Sequence, residues 1–449
     1  MLRTNVKTKI MAFSFSLISF LIAGCNGNSD SNQSYNLLGD GNCFWVGPYI
    51  KSNPETNFAY PDTGAAYWSS EYTLPEGAKL ELEGYFPFAR YMSINSYDNT
   101  QGEANPTFAL ADYLIKPSHG SSNPYIDGAD RTTEYREYKL DLLNAKQPNE
   151  KSENIIYTGV IEGSQATLLY RVYVPDNGQD LTGGVGLPQP KLTLASGEVL
   201  EGESACESMQ VGTDYLYVPR FPADYYENTL RANNNNPAKK TPYFRASYNT
   251  MYHIKCDWFD DCDDEPVRDV SFYANLDNQY MASFLSQDFG ELVVIKGKLP
   301  NVVKTINKNQ YFEKSQSDLR YWSMCSNEWY SQKVTNCLFD EQLILNNDNE
   351  YVIVLAKESN KPSNLKSECG VNYLQWPENG DGFDIVEGRE SRTSDAYLLL
   401  RNMLPENSFK QSIHETKLPG DEIATLGEYY PLSQYISVSE FEALGCENL

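Results

Sequence analysis

A pair of landmarks that recurs in both halves of the chain constrains the fold more than any other feature. Residues 90–93 (RYMS) resemble residues 320–323 (RYWS), and residues 168–177 resemble residues 398–407. The same interval, 81 residues, separates Arg90 from Arg171 and Arg320 from Arg401. Similar strand-sized segments at a constant spacing are typical of an internal duplication. The sequence therefore predicts two related domains.

Short runs of β-branched, aliphatic or aromatic residues dominate the rest of the pattern, and Gly, Pro, Asn and Asp clusters separate them. The runs are residues 80–83, 155–161, 168–174, 292–295, 351–355 and 397–400. Helical segments are few and short, at residues 224–232, 421–428 and 439–444. This profile predicts a mainly β fold with two related β-sandwich-like domains and a few short helices.

The N-terminus reads as a lipoprotein signal. Basic residues precede an apolar stretch over residues 10–23, and Gly24 and Cys25 supply the small residue and the thiol of a lipobox. We expect residues 1–24 to be removed and Cys25 to carry several acyl chains, which makes a durable membrane anchor. An ordinary secretory signal with a chance cysteine is the alternative. Asn26 in place of Asp favours the outer membrane of a Gram-negative bacterium.

The domain organisation follows from the repeat and from local composition. Residues 25–42 are mostly Asn, Ser, Gly and Asp after the lipidated cysteine, which predicts a flexible tether. The first β domain is expected at residues 43–192 and the second at residues 271–449. A connector with an acidic loop, residues 193–270, joins them.

Eight further cysteines form an even set, which fits up to four disulfides in an oxidising compartment. Cys256 with Cys262 and Cys325 with Cys337 are the natural local pairs. The other four cysteines leave their connectivity open. The absence of a Cys-x-x-Cys motif argues against a zinc ribbon or a thioredoxin-like redox site.

The chain is strongly acidic, with a formal net charge of -25. A field of this sign argues against nucleic acid as a partner and favours cations. Five aspartates in the connector, close to the Cys256 and Cys262 pair, are the candidate ligands of a calcium ion. They are Asp257, Asp260, Asp261, Asp263 and Asp264. A solvated acidic loop is the alternative interpretation.

A glycine-rich loop follows the strand at residues 168–174. Gly183, Gly184 and Gly186 could present backbone amides to an anion. Pro188 and Pro190 come next, so no helix follows the loop, and a conformationally demanding turn is the alternative. The loop has no counterpart in the second half, which makes it a candidate for a function specific to the first.

Catalytic signatures are scarce. The chain has three histidines and no His-Glu-x-x-His, Gly-x-Ser-x-Gly or Walker motif. Aromatic residues are plentiful, with 33 tyrosines and six tryptophans, and such rings suit sugar faces and protein interfaces. Adjacent pairs such as Tyr67 with Trp68 and Trp329 with Tyr330 could each expose one ring, because neighbouring residues of a strand point to opposite faces.

The landmark segments also carry a resemblance to known sequences. Residues 89–93, 171–176, 182–188 and 320–323 resemble an uncharacterised group of bacterial exported lipoproteins with duplicated β domains. Residues 275–280, followed by the RYWS landmark, are more distantly similar to paired bacterial domains of unknown function. Neither resemblance implies an activity or a catalytic residue.

Three functional hypotheses remain open at this point. The first is an envelope-anchored lipoprotein that binds a glycan, an envelope protein or another ligand through aromatic and acidic loops, with calcium as the one cofactor considered. The second is a hydrolase or lyase that uses carboxylate or tyrosine groups on glycans or other exported polymers, at the domain junction. The third is a structural envelope protein.

Overall fold

The computed structural model describes residues 43–99, 104–150, 152–262, 266–268, 273–307 and 309–447. The predicted signal peptide, Cys25 and most of the predicted tether lie outside the described residues, so the lipobox stays a prediction. The predicted domain boundaries also stay a prediction.

The first half of the described chain forms two five-stranded sheets. One has the order β1-β2-β8-β4-β5 and the other the order β10-β9-β3-β6-β7. The strands are β1 (Val46–Tyr49), β2 (Ala65–Thr73), β3 (Lys79–Tyr85), β4 (Ala89–Asp98), β5 (Asn105–Ala111), β6 (Glu137–Leu143), β7 (Ile155–Tyr157), β8 (Gln165–Pro175), β9 (Gln189–Thr193) and β10 (Val199–Glu201).

The second half repeats this arrangement. Its sheets have the orders β11-β12-β18-β14-β15 and β17-β16-β13-β19. The strands are β11 (Arg245–Ala246), β12 (Asn278–Ser286), β13 (Leu292–Lys298), β14 (Tyr321–Asn327), β15 (Val334–Phe339), β16 (Glu350–Ala356), β17 (Val371–Gln375), β18 (Asp395–Met403) and β19 (Leu432–Ile436).

Apart from β10, which has no counterpart in the second half, the strand order and direction match between the halves. In each half one pair is parallel, β6 with β7 and β16 with β17, and every other pair is antiparallel. Each half also places a glycine opposite a tyrosine, Gly84 opposite Tyr138 and Gly297 opposite Tyr351. A Cβ atom on either glycine would lie within 2.7 Å of the tyrosine hydroxyl. These details confirm the predicted mainly β fold with two related sandwich-like halves.

Strand burial explains how each half is layered. In β3 and β6 buried residues alternate with more exposed ones, as expected for a sheet with one face in the core. In β4, β8, β14 and β18 almost every residue is buried, so both faces of these strands are covered. One face packs into the core of its own half, and the other meets the opposite half.

An aromatic cluster occupies the junction. It combines Tyr91, Tyr97 and Tyr173 of the first half with Tyr321 and Met403 of the second. The rings of Tyr173 and Tyr321 meet edge to face with centroids 5.2 Å apart, a favourable aromatic geometry. The continuous burial of the central strands therefore arises from the second half lying against the first.

Helices are short, and all but the last lie between strands in the sequence. The α-helices are α1 (Gly202–Ser208), α2 (Ala223–Tyr225), α3 (Thr250–His253), α4 (Phe383–Glu387), α5 (Glu422–Leu426) and α6 (Val438–Ala443). π-Helical turns, Tyr226–Leu230 and Ile254–Trp258, continue α2 and α3. The 3₁₀ turns are Asp112–Leu114, Ala232–Asn234, Lys314–Gln316, Asp340–Gln342, Glu358–Asn360, Ser367–Cys369, Ile413–Glu415 and Gly427–Tyr429. All three helical segments expected from the sequence are present.

Within the described residues, no helix has both the length and the apolar character that crossing a bilayer would require.

Four disulfides join the eight cysteines beyond Cys25. Cys256 pairs with Cys262 and Cys325 pairs with Cys337, as the sequence predicts. The structure decides the connectivity of the rest: Cys43 pairs with Cys206, and Cys369 pairs with Cys446.

Candidate binding cavity between the halves

The landmark arginines bind carboxylates of the opposite half. Arg90 donates to Asp340 with a nitrogen-to-oxygen distance of 2.5 Å, and Arg320 donates to Asp112 at 3.0 Å. All four side chains are fully buried. Burial raises the pKa of Asp112 to about 6, although Arg320 opposes the shift. The repeated RYMS and RYWS motifs are therefore the contact surface between the halves.

Neighbouring contacts are reciprocal as well. The Tyr91 hydroxyl accepts a hydrogen bond from the Asn275 amide at 3.0 Å and donates to Asp277 at 2.6 Å, and the Tyr321 hydroxyl donates to Asp62 at 2.8 Å. Asp62 lies three residues before β2 and Asn275 three residues before β12, so the two positions are equivalent. The halves thus exchange contacts at equivalent positions in both directions, as in the two-fold interface of a homodimer. The match is not complete, because the position equivalent to Asp277 is Gly64.

The second pair of landmark arginines also contacts the opposite half. Arg171 donates to the backbone carbonyl of Tyr273 at 2.5 Å, and Arg401 donates to that of Tyr60 at 2.6 Å. Both guanidinium groups come from central strands, β8 and β18, whose second face is turned toward the junction. Both line a cavity at this place.

The cavity has a volume of about 300 Å³. Strands of both halves and residues 216–257 of the segment between them surround it. Ligand-binding sites concentrate at the boundaries of domains, and this volume is at the lower end of their usual range. The cavity is therefore suited to a small molecule.

One wall of the cavity is a cluster of aromatic rings from both halves. Ring centroids lie 4.8 Å apart for Phe284 and Trp329, 5.1 Å for Trp329 and Tyr397, and 5.3 Å for Tyr60 and Tyr397. Tyr60 comes from the first half, and the other three come from the second. Such a wall offers ring faces and edges to a flat or apolar ligand.

Asp257 is the one carboxylate residue among the described residues that line the cavity. Arg245 forms an ion pair with it, and the Tyr243 hydroxyl donates to the same carboxylate at 3.0 Å. His253 Nδ1 lies 2.8 Å from its other oxygen, and His253 Nε2 accepts a hydrogen bond from the Tyr248 amide at 3.0 Å. Both ring nitrogens of His253 are therefore engaged within the protein.

The phenol groups near the arginines are very weak acids. Burial raises the pKa of Tyr67 to about 12, and burial likewise raises that of Tyr97 to about 12. Both phenols therefore keep their protons at neutral pH. Two-carboxylate glycoside chemistry requires a second carboxylate across the cavity, and none of the other described lining residues supplies one.

The structure disperses the described part of the predicted calcium loop. Asp257 is buried beside Arg245, whereas Asp260 is exposed and pairs with Lys239 at 2.8 Å. Asp257, Asp260 and Asp261 do not bring three ligand oxygens within 4.8 Å of one another. Asp263 and Asp264 lie outside the described residues, so the calcium site stays a prediction.

The glycine-rich loop satisfies its own amides. The amide of Gly184 donates to the Asp180 carboxylate, and the amide of Gly186 donates to the Thr182 hydroxyl, each at 3.0 Å. Gly183 has φ +67°, and a Cβ atom there would lie 2.6 Å from Cβ of Pro87. The loop does not line the cavity. An anion site on this loop stays a prediction.

Sequence reasoning identified the two repeated arginines, Arg171 and Arg401, but assigned them no role at a site. The available signal was that Arg171 and Arg401 lie at the same distance along the chain from Arg90 and Arg320. Arginines that recur at equal spacing are expected to make equivalent contacts. Of the aromatic pairs considered, Tyr67, Trp329 and Tyr330 line the cavity. Trp68 belongs instead to the core of the first half.

The fold and the cavity define a duplicated β-sandwich protein with an aromatic, arginine-containing cavity at the junction of its halves. No family model and no curated protein matches the chain. An uncharacterized protein from Burkholderia cenocepacia is similar in structure, with 10% identity, coverage of 89% of this chain and 83% of that chain, and a TM-score of 0.46. A protein from Vibrio parahaemolyticus has 10% identity, coverage of 86% and 92%, and a TM-score of 0.35. Neither brings an activity to this chain.

Proposed function

We propose that this protein is a lipid-anchored envelope protein that binds a small ligand in the cavity between its halves. One observation carries the proposal: both halves and the segment between them surround a cavity whose wall is a cluster of aromatic rings. Apolar walls with a few placed polar groups are typical of small-molecule sites. The lipobox at Cys25 supports the envelope location.

The hydrolase or lyase alternative receives less support from this cavity. Its one described carboxylate, Asp257, is held by Arg245 and His253, and buried phenols such as Tyr67 stay protonated. Binding requires none of these groups to react. The cavity therefore favours capture of a ligand over its conversion.

A neutral aromatic probe tests the binding proposal directly. We expect N-phenyl-1-naphthylamine to bind the protein, prepared from residue 26 onward with its disulfides intact, at a stoichiometry of one. Its fluorescence rises in an apolar site, and Trp329 in the wall provides a second signal through energy transfer.

A matched pair of substitutions locates the probe. Ala282 lines the cavity, so Ala282→Trp should fill it and abolish binding. Ala195 is exposed in a turn, so Ala195→Trp should leave binding unchanged. Absence of probe binding, or equal binding by both variants, would overturn the proposal.

The envelope location has its own test. Cys25→Ser should move the protein from the membrane fraction to the soluble fraction, because the acyl chains supply the anchor. Retention of the variant in the membrane fraction would argue against lipidation at Cys25.

A further inference from the structure

Arg171 is a buried cation that lines the cavity and has only neutral partners. It is 2% exposed, and its guanidinium donates to the side chains of Asn95 and Tyr97 and to the carbonyl of Tyr273. Among the described residues, no carboxylate lies within 4.0 Å of it. Arginine has five N–H bonds, so these contacts leave two for a ligand.

Its equivalent in the second half is neutralised. Arg401 lies 3.4 Å from a carboxylate oxygen of Asp62, in addition to its bond with the Tyr60 carbonyl. The residue equivalent to Asp62 on the Arg171 side is Asn275, which is isosteric and uncharged. This substitution leaves Arg171 without the counter-ion that Arg401 has.

The other charged groups of the cavity do not compensate for Arg171. Arg245 is paired with Asp257, whereas Arg220 donates to the Ser331 carbonyl at 3.3 Å and its Nε atom is buried without a partner in the described residues. Two of the four arginines that line the cavity therefore have no carboxylate partner among the described residues. This excess stands out in a chain whose net charge is -25.

A buried guanidinium without a counter-ion is costly, and a ligand anion that forms charge-assisted hydrogen bonds with it recovers that cost. The aromatic wall of Phe284, Trp329 and Tyr397 requires the rest of the ligand to be apolar or aromatic. The volume of about 300 Å³ restricts this ligand to a small molecule.

Resting on the proposed function above, we infer that the cavity ligand is an organic anion, a carboxylate on an aromatic or apolar body. Arg171 binds the carboxylate, and the aromatic wall covers the body. Asn275 is the position that keeps Arg171 available, because an aspartate there would occupy it in the way that Asp62 occupies Arg401.

Two probes of the same shape, one anionic and one neutral, isolate the effect of the ligand's charge. Titration of 2-naphthoate and 2-naphthamide into the wild-type protein, by calorimetry at neutral pH, should show naphthoate binding at least about tenfold more tightly. Both should displace N-phenyl-1-naphthylamine. Equal affinities would overturn the assignment of an anion and leave the binding cavity intact. Binding of N-phenyl-1-naphthylamine without binding of 2-naphthoate would also overturn the assignment of an anion.

Two variants assign the preference to Arg171. Arg171→Met should remove the preference for naphthoate and change the affinity for naphthamide by less than about threefold. Asn275→Asp supplies a counter-ion equivalent to the one that Asp62 gives Arg401, so it should have the same effect without removing the arginine. A preference that survives in both folded variants would overturn the role of Arg171.

Arg220→Met tests whether the second unpaired arginine of the cavity contributes to the preference. Arg220 also lines the cavity without a carboxylate partner among the described residues, but it is less buried than Arg171. We expect this variant to keep most of the preference for naphthoate. If Arg220→Met abolished the preference and Arg171→Met retained it, Arg220 rather than Arg171 would hold the anion.

Discussion

The two halves of this protein share a framework and differ at a few polar positions. Both bring an arginine from the last central strand, β8 or β18, to a carbonyl of the other half. Arg401 also meets a carboxylate, Asp62 of the first half, and the second half has a disulfide between Cys325 and Cys337. The first half has Asn95 paired with Ala109 at the equivalent place. Duplication thus preserved the packing, while substitution at single positions made the two sides of the cavity chemically different.

The largest expected difference between the halves concerns their disulfides. Cys43–Cys206 joins residues 163 positions apart, whereas Cys325–Cys337 joins residues 12 apart. Loop-closure entropy predicts that replacing the first pair with alanine costs about 5 kcal/mol and the second about 3 kcal/mol. Urea unfolding of the two double variants measures this. A greater loss of stability for the Cys325–Cys337 variant would show that local strand pairing, rather than chain entropy, sets the contribution of each disulfide.

The reciprocal ion pairs come next. Removing one partner of a buried pair costs about 3 to 5 kcal/mol, and we expect Asp112→Asn to fall in this range because Arg320 then has no carboxylate among the described residues. Asp340→Asn should cost about 1 to 2 kcal/mol less, because Arg90 also pairs with Glu341. Chemical denaturation of the two variants tests the difference.

An exposed pair of the first half is the control for this comparison. Lys116 and Glu153 form an ion pair in which both side chains are more than 60% exposed. Glu153→Gln should therefore change the free energy of unfolding by less than about 1 kcal/mol.

The two buried pairs have their own contrary outcome. Equal losses of stability in Asp112→Asn and Asp340→Asn would mean that Glu341 does not compensate Arg90 for the loss of Asp340.

A half-buried histidine should make the second half sensitive to acid. Burial lowers the pKa of His414 to about 4, and its Nε2 lies 3.0 Å from the Asn402 carbonyl. The unfolded chain therefore binds the proton more readily between pH 6.5 and 4. The stability contribution is present above this window and is lost as the pH falls through it, by roughly 3 kcal/mol.

The variant His414→Gln keeps an amide donor and removes the titration. Its free energy of unfolding should depend less on pH between 6.5 and 4 than that of the wild type. Exposed His119 of the first half supplies the control, as His119→Gln should keep the wild-type dependence. If the free energy of unfolding of His414→Gln kept the pH dependence of the wild type, the acid sensitivity would not come from His414.

The smallest expected effect concerns the glycine loop of the first half. Gly183 and Gly120 both have positive φ, but only at Gly183 would a Cβ atom meet Pro87. Gly120→Ala should cost about 1 kcal/mol and Gly183→Ala about 2 kcal/mol, from backbone strain and from strain plus overlap. Thermal unfolding measures both. Loss of naphthoate binding in folded Gly183→Ala would instead assign the loop a role in binding.

Local patterns predicted much of the framework. Alternation in β3 indicated a half-buried strand, and the cysteine spacing predicted the Cys256–Cys262 and Cys325–Cys337 pairs. The cavity was not predictable in this way. Its arginines and aromatic rings come from positions such as Tyr60 and Tyr397 that are hundreds of residues apart, and no local pattern records which distant side chains meet.

By itself, the sequence determined the β-rich architecture, its duplication and the even set of disulfide cysteines, because periodicity and repeated spacing are properties of neighbouring residues. Only the tertiary structure decided that the repeated arginines reach across the junction. It also decided that Asp62 neutralises Arg401 while Asn275 leaves Arg171 free of a carboxylate among the described residues. The physical reason is that burial and ion pairing depend on groups brought together by packing, and the energy of a charge is set by that environment.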